Sequence, residues 1–189
     1  AVAAAALKRR RKDKLLQLSV HDPVPELVAS LNDFQPVLMT PYASIASLLA
    51  TEQEQGRLHI RPALLALSAE GLAPEEYGRI ARAFNAKVGN SYASTEVPFL
   101  SFSCAHGWLH VNTDWATFEP VDSEFKRVPK GQVSHTVLVS NLANRLQPVL
   151  RYDLGDSVIE RPDPCPCGSP FPAIRVQGRT SDVVRLVGR

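Results

Sequence analysis

Within Asn90-Ser91-Tyr92-Ala93-Ser94-Thr95-Glu96 the chain sets an aromatic ring, two hydroxyls and a carboxylate inside the five residues from Tyr92 to Glu96, just after a short apolar run, Ala86 to Val88. An aromatic face can stack on a base. Hydroxyls can donate to phosphate oxygens, and a carboxylate can hold a Mg²⁺ that is itself bound to phosphate. Read by itself, the same stretch is also a polar loop with a helix cap at Ser94 or Thr95. A second constellation is Arg151-Tyr152-Asp153-Leu154-Gly155-Asp156, where Asp156 can accept two hydroxyl hydrogen bonds from a ribose diol, or where Asp and Gly simply make a turn. In Gly178-Arg179-Thr180-Ser181-Asp182, Arg179 can reach a phosphate or a ribose; alone the stretch is a polar turn. The fourth set is metal-like. All three cysteines fall in Cys104 and Cys165-Pro-Cys167, and His106 and His110 follow Cys104 closely. A closed structural Zn²⁺ site takes four N/S ligands, commonly three Cys and one His. The alternative is reduced thiols with Cys104 buried.

Such residues need a frame, and the first hundred residues supply an α/β one. Strands are expected at Leu15 to Val20, Pro36 to Met39, Ala63 to Leu67 and Ala86 to Val88. Between them, helices start at Asp22-Pro23, at Thr40-Pro41 and after Gly71 to Pro74. Their apolar residues recur at helical spacing: Leu27, Val28, Leu31 and Phe34; Ile45, Leu48 and Leu49; Tyr77, Ile80, Ala81 and Phe84. Strand–helix alternation with short connections predicts a parallel sheet with covering helices. Its strand carboxyl ends, Thr40-Pro41-Tyr42, Ser68-Ala69-Glu70-Gly71 and the Tyr92 stretch, would converge on a pocket. After about residue 100 the pattern becomes short β-runs between turns: Trp108 to Asn112, Thr117 to Val121, Gln132 to Ser140, Val149 to Tyr152, Ser157 to Glu160, Ala173 to Val176 and Val183 to Val187. The expected architecture is therefore α/β, a 1–100 nucleotide-binding subdomain followed by a 101–189 mostly antiparallel β subdomain.

Composition narrows the function classes. A formal charge of +2 leaves no electrostatic footprint for nucleic acid, and the one basic cluster, Lys8 to Lys14, reads as a solvated segment. No apolar run approaches the ~20 residues of a membrane span. Three cysteines without a disulfide pattern point to a reducing, cytoplasmic setting. The only methionine is Met39, and the chain stops after a strand-like run, so it reads as a piece of a longer protein.

Taken in order, Tyr-x-Ser-Thr-Glu, a Gly-led β-run from Gly131, Arg-Tyr-x-x-Gly-Asp and Gly-Arg-x-x-Asp resemble the adenylate-forming ligase superfamily. The likeness is closer to its phenylacetate–CoA ligase branch, whose chains carry a Cys-x-Cys-Gly between the last two motifs; it covers roughly Leu15 to Arg189. The resemblance implies that a small-molecule carboxylic acid is activated by ATP as an acyl-adenylate and passed to coenzyme A. It implies that Thr95 bonds the α-phosphate beside Ser94, Glu96 holds Mg²⁺ and Tyr92 lies against adenine. Ala69, Glu70 and Gly71 fall in the adenine-side loop, Asp156 takes the ribose hydroxyls and Arg179 supports the ribose and phosphate. The Gly-Trp-Leu-His110 spacing resembles the same branch and favours His110 over His106, giving Cys104, His110, Cys165 and Cys167 around a structural Zn²⁺. The family's phosphate loop, expected before Leu15, and the C-terminal domain with its lysine, expected after Arg189, are not in the sequence, and Ser181 stands at the usual hinge position. The fragment alone is therefore expected to be inactive. The alternative is a non-catalytic, zinc-stabilised nucleotide-binding or interaction domain of the same fold.

Overall fold

The structure, a computed structural model, describes residues 14–98 and 100–180. The basic residues Lys8 to Lys12, the hinge position Ser181 and the expected strand Val183 to Val187 lie outside them.

Three strands form a parallel sheet in the order β1 (Leu38–Met39), β2 (Leu64–Leu67), β3 (Lys87–Asn90). Helix α1 (Val24–Phe34) precedes β1, α2 (Ala43–Glu54) joins β1 to β2, and α3 (Pro74–Phe84) joins β2 to β3. The helices form where the 3.6-residue pattern places them, and they bury the faces it marks. Leu27, Val28 and Leu31 of α1, Ala46 and Leu49 of α2, and Ile80 and Phe84 of α3 are buried; most pack on Met39, Leu65 and Leu67 in a single cluster. Helix α3 stops at Asn85, which takes a left-handed conformation (φ 47°) that Asn tolerates, and its N–H bonds back to Ala81. Arg79 stitches α3 to α2 through Glu54 (2.8 Å) and the Ser47 carbonyl (2.9 Å).

Two expectations need correction here. Leu15 to Val20 is not a strand. No strand among the described residues pairs with it, and it ends in a turn in which the Asp22 carboxylate accepts the Ser19 N–H (2.9 Å). Helix α2 begins at Ala43 rather than at Pro41, because Tyr42 stays extended to form a parallel bridge with Ser68.

The remaining strands are antiparallel. Sheet β4 (Ser101–Ser103), β5 (Leu109–Val111), β10 (Ala173–Arg179), β9 (Asp156–Glu160) stands against sheet β6 (Ala116–Val121), β7 (Thr136–Asn141), β8 (Val149–Asp153). Val111, Val158 and Ile174 from one sheet and Phe118, Val137 and Val139 from the other fill the core between them. An isolated Val133–Ile159 bridge and the Ser134–Val158 bonds tie the two sheets together. A cavity of about 380 Å³ lies between residues 14–20, α1 and the start of α2; Thr40 and Pro41 line it, but the Ser68–Gly71 loop, the Tyr92 stretch, Asp156 and Arg179 do not. No described helix is long and apolar enough to cross a membrane.

Phe84 is 1% exposed at the centre of the α/β core. Phe84→Ala is expected to cost about 3–5 kcal/mol, read as a lowered midpoint of urea unfolding; a loss under 1 kcal/mol would show that the helix does not pack as described.

Candidate functional site

The strand carboxyl ends meet at one edge, as parallel pairing requires. The Tyr42–Ser68 bridge extends the β1–β2 pairing and Leu67 pairs with Asn90, so Tyr42, the Ser68–Gly71 loop and the Tyr92 stretch are neighbours. Within the Ser68–Gly71 loop Ala69 holds φ 66°, a strained conformation for a side-chain-bearing residue and one that such sites accumulate. Glu70 has a definite local job: its carboxylate accepts the Ser44 N–H (2.8 Å) at the first turn of α2, a helix whose own N-cap, Tyr42, makes no capping bond. The Ser44 hydroxyl and then this N–H hold the Glu70 carboxyl below the usual carboxylate range.

The Tyr92 stretch is pinned from strand β4, which lies before the first expected β-run at Trp108. Ser103 Oγ accepts the Asn90 N–H (2.8 Å), and Ser101 Oγ accepts the Tyr92 N–H (2.8 Å) while donating to the Tyr92 carbonyl (3.0 Å). The period-two Ser101-Phe102-Ser103 puts both hydroxyls on one face, a signal visible in the sequence but too short to stand out. Beyond Tyr92, Ser94 closes a turn with Val97 (3.2 Å) and Thr95 is exposed. Asn141 Nδ2 donates to the Glu96 carbonyl (2.8 Å). The Glu96 carboxyl is held below its ordinary range by its own backbone N–H first, then by the Ser94 hydroxyl and the Tyr152 hydroxyl. Tyr152 and Asn141 thus bear on Glu96 from far along the chain, with nothing local in the sequence to single them out.

The three separated motifs meet at Asp156. The Tyr92 hydroxyl donates to Asp156 Oδ2 (2.7 Å) and Arg179 Nε donates to Asp156 Oδ1 (3.3 Å), with Asp156 9% exposed. Strands β9 and β10 set this geometry directly, because Asp156 pairs with Arg179 across the ladder. Burial first, then the bond to the Asp156 carboxylate, pushes the Tyr92 phenol well up. Each carboxylate oxygen has a second lone pair, so the group retains acceptor capacity. Upstream, Asp153 accepts from the Thr136 hydroxyl and from the Gly155 N–H, where a φ of 69° needs glycine. Arg151 in the same motif sits at φ 46°.

The cysteines also converge. Cys104, His110, Cys165 and Cys167 place their ligand atoms within 4.8 Å of one another, and His106 is not among them. Cys104 Sγ lies 3.8 Å from Cys165 Sγ, and Cys167 Sγ lies 3.2 Å from His110 Nε2. A tetrahedron with Zn–S bonds of about 2.3 Å has sulfurs about 3.8 Å apart. His110 is fully buried, and its Nδ1 faces the Phe171 carbonyl at 3.0 Å. A carbonyl can only accept, so the proton sits on Nδ1 and Nε2 is left as the ligand atom, the arrangement usual for metal-bound histidine. The donor set fits a metal ion.

No family model matches the chain. Protein CapK of Staphylococcus aureus is 28% identical over 165 residues, covering 86% of this chain and 33% of that protein. A 2-hydroxyisobutyryl-CoA ligase, solved in the postadenylation state with R3-HIB-AMP, superposes with a TM-score of 0.77 at 25% identity, over 90% of this chain and 38% of that one. A benzoate CoA ligase from Burkholderia xenovorans shares the fold, with a TM-score of 0.61 at 18% identity, over 87% of this chain and 36% of that one. The chain thus spans well under half the length of each of these proteins.

A raised tyrosine pKa gives stability that is present below the unfolded value and lost as pH rises past it. Unfolding free energy is therefore expected to fall above about pH 10, where the unfolded phenol ionises and the folded one does not. Tyr92→Phe is expected to flatten that alkaline loss, and to cost about 1–3 kcal/mol at neutral pH by stripping a donor from Asp156. Urea titrations at pH 8 and pH 11 compare the two proteins, and parallel curves would contradict the assignment.

Proposed function

We propose that this chain, whose fold is that of part of the large N-terminal domain of adenylate-forming ligases, is the nucleotide-binding core of an ATP-dependent, AMP-forming acyl- or aryl-CoA ligase. In the proposed reaction of the whole protein, a substrate carboxylate attacks the α-phosphorus of ATP, pyrophosphate leaves, and the thiol of coenzyme A takes the acyl group from the adenylate. The observation that carries the reading is the meeting of Tyr92, Asp156 and Arg179, three motifs far apart in sequence, on one largely buried carboxylate. The neighbours solved with an adenylate support it.

In this reading Asp156 accepts the ribose hydroxyls through its spare lone pairs. Arg179 balances its charge and faces the phosphate side. Tyr92 offers its ring to the adenine while its hydroxyl orients Asp156. The Ala69–Gly71 loop walls the base, with Glu70 holding that loop to the start of α2. Thr95, exposed and free of side-chain partners among the described residues, is assigned to the α-phosphate. Glu96, already ionised at neutral pH, is the Mg²⁺ ligand; Ser94 and Tyr152 orient it. Mg²⁺ would neutralise charge on the phosphate oxygens as it develops. Residues 1–100 and 101–189 are read as the two subdomains that share this pocket. The Cys104, His110, Cys165, Cys167 set is assigned to a structural Zn²⁺ with no open coordination position.

AMP at about 100 times its Kd is expected to stabilise the protein by about 2.7 kcal/mol, seen as a rise in melting temperature. Asp156→Asn should weaken AMP at least about tenfold, from the loss of charge-assisted bonds. A protein whose melting point ignores both AMP and ATP–Mg²⁺ would favour the non-catalytic alternative.

For the metal, elemental analysis of protein purified without chelator is expected to find about one zinc per chain. Cys167→Ser should lower both the zinc content and the melting temperature. Metal-free protein in which all three thiols react freely would discard the site.

A further inference from the structure

Strands β4, β5, β10 and β9 turn Val111, Val158 and Ile174 to the core. By alternation, the other face carries Phe102, His110 and Ala173, which pair across the ladder, together with Arg175. Trp108 lies two residues before His110 on that face. The guanidinium carbon of Arg175 stands 4.3 Å from the Trp108 ring centroid, and that of Arg161 stands 5.2 Å away. Two cations sharing one indole repel each other unless an anion lies between or beside them.

Among the described residues neither arginine has a carboxylate within ion-pair distance. The acids of the same strands are engaged elsewhere: Glu160 with Lys130 and Arg127, Asp156 with Arg179. Arg161 Nε is sealed from solvent without any hydrogen-bond partner. The guanidinium is thus held by packing against the ring, and its terminal nitrogens are its remaining donors. The loops that hold this stack are also those of the metal cluster. Trp108 sits between Cys104 and His110, and Arg161 sits four residues before Cys165. Joining Cys104 and His110 to Cys165 and Cys167 therefore also sets Trp108 against Arg161.

We propose that Arg161 and Arg175, stacked on Trp108, form a phosphate-binding site on the outer face of this sheet. Lying over the ring leaves the terminal N–H groups of each guanidinium as donors, a fork that can receive phosphate oxygens in pairs. A phosphate or pyrophosphate has enough oxygens to engage both forks, whereas one carboxylate fills a single fork. The ring lies against guanidiniums and is not offered to a base, so phosphate is the recognised group. From Asp156 to Arg161 is five residues along β9, about 16 Å at ~3.3 Å each, so the site does not overlap the proposed ribose contact.

The test is calorimetric titration of full-length, metal-loaded protein with pyrophosphate and with adenosine 3′,5′-bisphosphate, at constant ionic strength. Arg175 is exposed, so Arg175→Gln keeps the fold. It is expected to weaken the probe tenfold or more while leaving the AMP-dependent thermal shift unchanged, and Arg161→Gln should do the same. Tighter binding of the nucleoside bisphosphate identifies the phosphate as nucleotide-borne; tighter binding of pyrophosphate identifies it as inorganic. Equal affinity of wild type and Arg175→Gln for both probes, no binding of either, or equally tight binding of a Glu-rich peptide would each overturn the proposal. Because AMP is read separately in the same proteins, failure here is distinguishable from failure of the ligase reading.

Discussion

A carboxylate taken out of water needs donors, and Asp156 has recruited them from two distant segments. The Tyr92 hydroxyl and the Arg179 guanidinium each occupy one of its oxygens. Removing either would leave a nearly buried charge short of a partner, which costs more than the bond contributes. This one requirement joins the loop leaving the parallel sheet to the antiparallel ladder that follows it. The positions of Ser94, Thr95 and Glu96 inherit their accuracy from it, because they continue the same loop.

The second constraint is the hydroxyl pair of β4. Ser101 and Ser103 bond to the backbone of Asn90 and Tyr92 just where β3 ends. A parallel strand running out of its sheet leaves backbone donors exposed, and here the next strand satisfies them by side chain rather than by ladder. The loop can therefore be polar, exposed at Thr95 and still well placed. The antiparallel strands achieve something similar with Cys and His side chains. They bring the β4–β5 hairpin to the loop before β10, where only two residue pairs link β10 to β5.

Much of this was legible beforehand. The helices of the first unit follow their apolar spacing, because a stripe at i, i+3, i+4 has no other way to leave water. The strands of the second unit fall close to the expected runs, and the cysteine set converges with His110 and not His106. What escaped reading was pairwise. Leu15 to Val20 has strand composition, but a strand is defined by a partner and this one has none among the described residues. Ser101-Phe102-Ser103 has little strand character alone and becomes one by pairing with Leu109 to Val111. Glu70 and Tyr152 act on residues 26 and 56 positions away, distances that no local pattern encodes.

The amino-acid order alone determined the class of fold, the order of the motifs and the kinds of ligand they suit, since periodicity, turn residues and donor types are local properties. Only the folded chain decided which oxygen of Asp156 meets Tyr92, which histidine nitrogen faces the cysteines, and that two arginines share one indole. Those are distances between segments brought together by hydrophobic burial and strand register, and burial is a property of the whole chain rather than of any stretch within it.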